Sequence, residues 1–167
     1  MLTFILPGYS LKNKEWLEDS AMSLKVEGFI RPIFWDHWDD PDAKFDAIEK
    51  ASLISRHSKG DKLNIVAKSI GSLVASYIIE KVPDQINKVV ICGIPLNDIT
   101  EEEKESIKKA LGSLPVEKIL CFQNEGDPHA SYAEVKEFLP KGVKLISEPR
   151  ADHGYPLYAE FNKFLTS

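Results

Sequence analysis

The sequence predicts a doubly wound α/β fold: one sheet of six mostly parallel strands with helices on both faces. Three observations carry this. Six short apolar runs recur along the chain: "LTFIL" (2–6), "FIRPIFW" (29–35), "LNIVA" (63–67), "KVVICGI" (88–94), "KILCFQ" (118–123) and "VKLISE" (143–148). Most are nearly continuous in Val, Ile, Leu and Phe rather than alternating, as strands covered on both faces are. The segments between them carry helical rather than strand periodicity, and this alternation is that of a parallel sheet.

The first run opens the chain, and residues 11–25 after it read as a weakly patterned helix. In the second run Arg31 and Pro32 argue for an edge position, because proline cannot donate to a central ladder. Residues 42–59 form the next helical stretch. The third run passes straight into a helix whose buried face is Ile70, Leu73, Val74, Tyr77 and Ile78, at the i, i+3, i+4, i+7, i+8 spacing. After the fourth run, "EEEKE" (101–105) reads as a solvated first helical turn, its acids suited to the positive end of the helix dipole. Tyr132, Val135, Phe138 and Leu139 mark a helix after the fifth run. Leu157, Tyr158, Phe161, Phe164 and Leu165 mark the last one.

Composition narrows the function. A chain of 167 residues fits one domain, 1–167, with a core of ordinary size. The net charge of −5 and the lack of a basic cluster argue against a nucleic-acid partner. No apolar run approaches the roughly 20 residues of a membrane span. "MLTFILPGYS" has no basic region and no cleavage site of a signal peptide. Cys92 and Cys121 sit inside apolar runs and read as buried free thiols of a reducing compartment, so a cytoplasmic location is expected. No dinucleotide or P-loop glycine motif follows any strand, which leaves flavin or nucleotide binding on a flavodoxin-like sheet without support. No cofactor is expected. His37, in "FWDHWDD", lies among carboxylates that lack metal-ligand spacing, so no metal is expected either.

In a parallel sheet of this kind, chemistry lies beyond the carboxyl ends of the strands. Those ends bring Ser69, several acids and three of the four histidines to one side. Residues 67–71, Ala-Lys-Ser-Ile-Gly, fit the strand–Ser–helix turn written G-x-S-x-G, with Ala67 in place of the first glycine. The bare string is a weak signal; its position at a strand exit with a helix starting at once strengthens it. The plain structural alternative makes Ser69 an N-cap. A serine hydroxyl needs a base, and the base needs a carboxylate to fix its tautomer. Asp127, after the fifth run, and His153, after the sixth, supply these in the order Ser…Asp…His. Asp98, after the fourth run, is the alternative acid. His129 reads as a rim residue, His57 as solvated, and Lys68 as a rim cation or partner of a nearby acid.

On these residues the chain resembles the α/β-hydrolase superfamily, in particular its small lidless lipases and esterases. The resemblance spans nearly the whole chain, with the family's first two strands absent. It implies a strand order of 2-1-3-4-5-6 and no cap, since residues 95–117 hold only one helix. It also implies hydrolysis of a small or extended ester or thioester by Ser69, His153 and Asp127. The backbone N–H groups of Ile70 and Tyr9 would form the oxyanion hole, Gly8 matching the glycine of the family's His-Gly turn and Pro7 replacing its histidine. Gly8, Trp35, Trp38, Leu96 and Tyr155 are candidates to line the substrate site, with core packing an equal reading for the tryptophans. The expected partner is a small acyl substrate. The competing reading is a binding protein on a hydrolase scaffold whose triad no longer turns over.

Overall fold

A computed structural model describes residues 1–58 and 60–167. The six strands are β1 (Leu2–Leu6), β2 (Phe29–Pro32), β3 (Leu63–Lys68), β4 (Ile86–Cys92), β5 (Ile119–Asn124) and β6 (Lys144–Glu148). All pair in parallel, in the order β2-β1-β3-β4-β5-β6. The helices are α1 (Lys14–Ser23), α2 (Ala47–Ser58), α3 (Gly71–Lys81), α4 (Glu101–Gly112), α5 (Tyr132–Phe138) and α6 (Tyr158–Leu165).

Strand residues divide between two cores with a period of two. Leu2, Phe4, Leu6, Leu63, Ile65, Ala67, Val89, Ile91, Ile119 and Cys121 face the helices α2 to α5. Ile5, Val66, Val90, Cys92, Leu120 and Phe122 face α1 and α6. This two-sided burial is why the runs read as nearly continuous apolar stretches. β2 lies at one edge, as its proline requires, and its residues are alternately exposed and half-buried.

Element ends depart from the sequence reading for local reasons. Residues 11–13 form a 3-10 turn whose Ser10 side chain accepts from the Lys12 N–H, and α1 starts after it. The second strand stops at Pro32, so Phe34 and Trp35 lie in the following loop. The second helix starts at Ala47 rather than at residue 42, Asp46 Oδ1 accepting from the Ile48 and Glu49 N–H groups at its first turn. Its expected end at Lys59 lies outside the described residues. The acidic run opens α4 behind a capping box made by Thr100 and Glu103.

Strand order reverses between β1 and β3. The chain leaves β1 toward α1 on one face and leaves β3 toward α3 on the other. The crevice at the carboxyl ends of these two strands is the natural ligand position of such a sheet.

Candidate active site

Ser69 sits at that crevice, between β3 and α3. Its φ of 55° is the only positive value on a non-glycine residue among the described residues. A left-handed serine costs on the order of 1 kcal/mol, so the surrounding packing must impose it. Two contacts do so. The Ser69 N–H donates to the Cys92 carbonyl at 2.9 Å, which ties the turn to β4. Gly71 then lies so close to β1 that a Cβ would stand 2.2 Å from the Leu6 carbonyl oxygen. Glycine at 71 is therefore a steric requirement of the turn. Ala67 is fully buried in the core on the α3 side, where its methyl is accommodated.

His153 and Asp127 meet. His153 Nδ1 lies 2.6 Å from Asp127 Oδ2. The Tyr155 hydroxyl donates to the same oxygen, and the His129 backbone N–H donates to Asp127 Oδ1 at 2.8 Å. Burial alone would raise the Asp127 pKa, but these hydrogen bonds outweigh it and hold the carboxyl below its ordinary value. An ionised Asp127 accepts only, so His153 Nδ1 is the donor in this pair, and in the neutral imidazole that leaves the lone pair on Nε2. Nε2 is buried without a hydrogen-bond partner among the described residues.

Ser69, Ile70 and His153 line one cleft of about 620 Å³ with Tyr9, Ser10, Lys12, Asn13, Lys68, Pro95, Asp98 and His129. Neither the Tyr9 nor the Ile70 backbone N–H donates a hydrogen bond to a described residue. Ile70 directly precedes the first turn of α3, where unpaired N–H groups and the dipole favour negative charge. Three aromatic side chains fix the loop after β1. Trp35 Nε1 donates to the Gly8 carbonyl at 3.1 Å, and Trp38 Nε1 and His37 Nε2 donate to the Tyr9 carbonyl at 2.7 and 2.8 Å.

Several expected positions need correction. Tyr155 and Trp35, read as candidates at the substrate, are 0% and 1% exposed. One lies behind Asp127 and the other behind the β1 loop. Leu96 is buried in the core on the α3 side, while its neighbour Pro95 reaches the cleft. Gly8 and Trp38 act through the loop backbone and do not line the cleft: a Cβ on Gly8 would stand 2.7 Å from the Asn13 side chain. Lys68 is 8% exposed rather than a solvated rim cation. Asp98, the alternative acid, is exposed and hydrogen bonds His129 Nδ1, not His153.

Gly93 belongs to the site although no motif in the sequence marks it. Its φ is 63°, and a Cβ there would stand 2.7 Å from His153 Cε1 and 2.6 Å from Tyr155 Cε2. A glycine interrupting the apolar run "VVICGI" is the available signal. His37 is held through the Tyr9 carbonyl. Among the described residues no three His, Cys, Asp or Glu side chains gather as a metal site.

No protein-family profile matches the sequence, and no curated protein matches it. Solved structures do match its fold. A protein described as a yden-like hydrolase from Pectobacterium atrosepticum is 16% identical, with a TM-score of 0.67 over 99% of this chain and 91% of that one. Est1E from Butyrivibrio proteoclasticus, solved with ferulic acid, is 14% identical, with a TM-score of 0.69 over 99% and 88%. An extracellular α/β-hydrolase from a Paenibacillus species is 13% identical, with a TM-score of 0.64 over 99% and 98%. At these identities the likeness is one of architecture. With its six parallel strands in the order 2-1-3-4-5-6 and its helices on both faces, the chain has the α/β-hydrolase fold.

Proposed function

We propose that the chain is a serine hydrolase that cleaves a small or extended ester or thioester through an acyl-enzyme. The observation that carries this reading is the backbone of Ser69. It is a non-glycine residue held at positive φ on a cleft that it shares with His153, whose Nε2 has no hydrogen-bond partner among the described residues and whose Nδ1 faces Asp127. Strain of this kind persists where a side chain must be presented, and an N-cap has no need of it.

Ser69 Oγ attacks the acyl carbon while His153 Nε2 takes its proton. Asp127 holds the imidazole in register and stabilises the imidazolium. The Ile70 and Tyr9 N–H groups donate hydrogen bonds to the negative charge that develops on the carbonyl oxygen. His153 returns the proton to the leaving alcohol or thiol, giving the acyl-enzyme. Water, deprotonated by the same nitrogen, then attacks; Ser69 recovers its proton and the acid departs. Between β4 and β5 lie only α4 and a 3-10 turn (Val116–Lys118), so no cap is inserted there and an extended acyl group can project from the cleft. The resemblance of the fold to hydrolases and esterases supports the reaction class.

The test is covalent labelling with a fluorescent fluorophosphonate. The native protein is expected to label, and Ser69→Ala and His153→Ala, folded by circular dichroism, are expected not to. An unlabelled native protein would overturn the proposal and leave a binding protein on this scaffold.

A further inference from the structure

Lys68 immediately precedes Ser69, and the period-two alternation of β3 turns its side chain toward the α1 face. There Nζ lies 5.6 Å from the centroid of the Trp16 ring and donates to Asn13 Oδ1 at 2.7 Å. Asn13 is neutral, and no carboxylate lies within ion-pair distance of Nζ among the described residues. Two of its three N–H bonds therefore have no acceptor among those residues. Asp127 and Asp152 act on it only at longer range. A lysine that is 8% exposed and lacks a counter-ion is a costly group to bury, because desolvation penalises its charged form. Burial accordingly lowers its pKa.

That lysine lines the cleft, and its surroundings are arranged as a wall. Ser10, Lys12, Asn13 and Lys68 form the α1 side of the cleft, opposite Pro95, Asp98 and His129. The Asn13 amide donates to the Ser10 carbonyl at 2.9 Å, which orients its oxygen toward Lys68. Lys12 adds a second cation with no carboxylate partner among the described residues. The wall thus offers unspent N–H donors and positive charge to whatever lies beside Ser69.

We propose that Lys68, assisted by Lys12, binds an anionic group on the substrate, a carboxylate held a few atoms from the ester that Ser69 attacks. This deepens the hydrolase reading and rests on it. The substrate completes the missing half of a buried ion pair, and a partly desolvated charge-assisted hydrogen bond discriminates far more than an exposed one. A chain of net charge −5 gains no long-range attraction for such a substrate, so selectivity comes from this contact.

The test compares neutral and carboxylate-bearing esters of similar size in the native protein. Monomethyl glutarate against methyl pentanoate probes an anion on the acyl side. 4-Acetoxybenzoate against phenyl acetate probes one on the alcohol side. In one of the two pairs kcat/KM for the anionic ester is expected to exceed that for the neutral one by about tenfold or more, mostly through KM. The pair that responds identifies the side. In Lys68→Met that ratio is expected to fall about tenfold, whatever happens to the neutral ester, and Lys68→Arg is expected to retain part of it. Lys68→Gln reads the same ratio should the methionine variant not fold. Ratios near one in both pairs, or a preference unchanged in Lys68→Met, would overturn the inference while fluorophosphonate labelling still supports a serine hydrolase. No labelling and no turnover would remove both.

Discussion

Tyr155 and His153 donate to one and the same oxygen, Asp127 Oδ2. Burial raises the pKa of the Tyr155 phenol well beyond that of free tyrosine, so the group is a permanent donor. Its oxygen also accepts from the Asn124 backbone N–H at 3.1 Å. Tyr155→Phe removes a donor to a carboxylate and strands a buried amide. It is expected to lose about 1–3 kcal/mol in denaturant unfolding.

The same network sets an acid limit on stability. Asp127 in the folded chain titrates below its ordinary value of 3.8. Its contribution is therefore fully present above about pH 4 and is lost as the pH falls through the depressed folded value. Asp127→Asn is expected to flatten the loss of stability as the pH falls below about 4, measured by urea midpoints across the acid range. An unchanged slope would mean that Asp127 is not held ionised by these donors.

Asp127 and Asp98 each pair with a histidine on the cleft, yet they differ in burial: the first is enclosed and the second exposed. Only the enclosed pair fixes a tautomer against competition from water. Asp127→Asn is expected to lower kcat about 10³- to 10⁴-fold, and Asp98→Asn less than about tenfold. Steady-state kinetics on one ester decides between them, and the reverse ranking would make Asp98 the triad acid.

The order of the sheet was legible in the sequence because two-sided burial leaves a mark on every strand. The turn at Ser69 was legible because strand, serine, glycine and helix fall in sequence. What was not legible is which side of a loop a side chain takes. Trp35, Leu96 and Tyr155 follow strands as substrate-lining residues do, but each turns inward, and composition cannot distinguish the two. The burial of Lys68 was hidden for the same reason. Strand parity places it opposite Ala67, and only the position of Trp16 on α1 shows that its side chain is covered there while it still lines the cleft.

Gly93 shows what a missing side chain protects. An alanine there would take up left-handed backbone and collide with both His153 and Tyr155. Gly93→Ala is expected to displace the imidazole by a fraction of an ångström or more, which costs on the order of 10²-fold in kcat. The measurement is kcat beside the unfolding midpoint, since a merely structural role would move the midpoint alone.

The thiols have no part in this chemistry. Both are fully buried; burial pushes Cys121 up to about 12 and Cys92 well above its ordinary value. Neither is expected to react with an aromatic disulfide reagent at pH 8 until the chain is unfolded. Rapid reaction of the native protein, with loss of activity, would contradict the closed packing around β4 and β5.

Trp35 acts on the cleft without touching it. A trans peptide points its carbonyl and its N–H in opposite directions. Trp35 Nε1 holds the Gly8 carbonyl toward the core at 3.1 Å and reaches the Pro7 carbonyl at 3.3 Å. The Tyr9 N–H, on the other side of the Gly8–Tyr9 peptide, is thereby turned away from the core. Trp35→Phe keeps an aromatic ring in place but removes this donor and frees the peptide to rotate. Losing an oxyanion donor outright costs about 10²- to 10³-fold in kcat, so a loosened one is expected to cost about tenfold or more, with KM little changed. Trp38→Phe is the control, because the Tyr9 carbonyl that it frees is still held by His37 Nε2 at 2.8 Å. A fall in kcat shared equally by both variants would place the effect in loop packing rather than in the orientation of the Tyr9 amide.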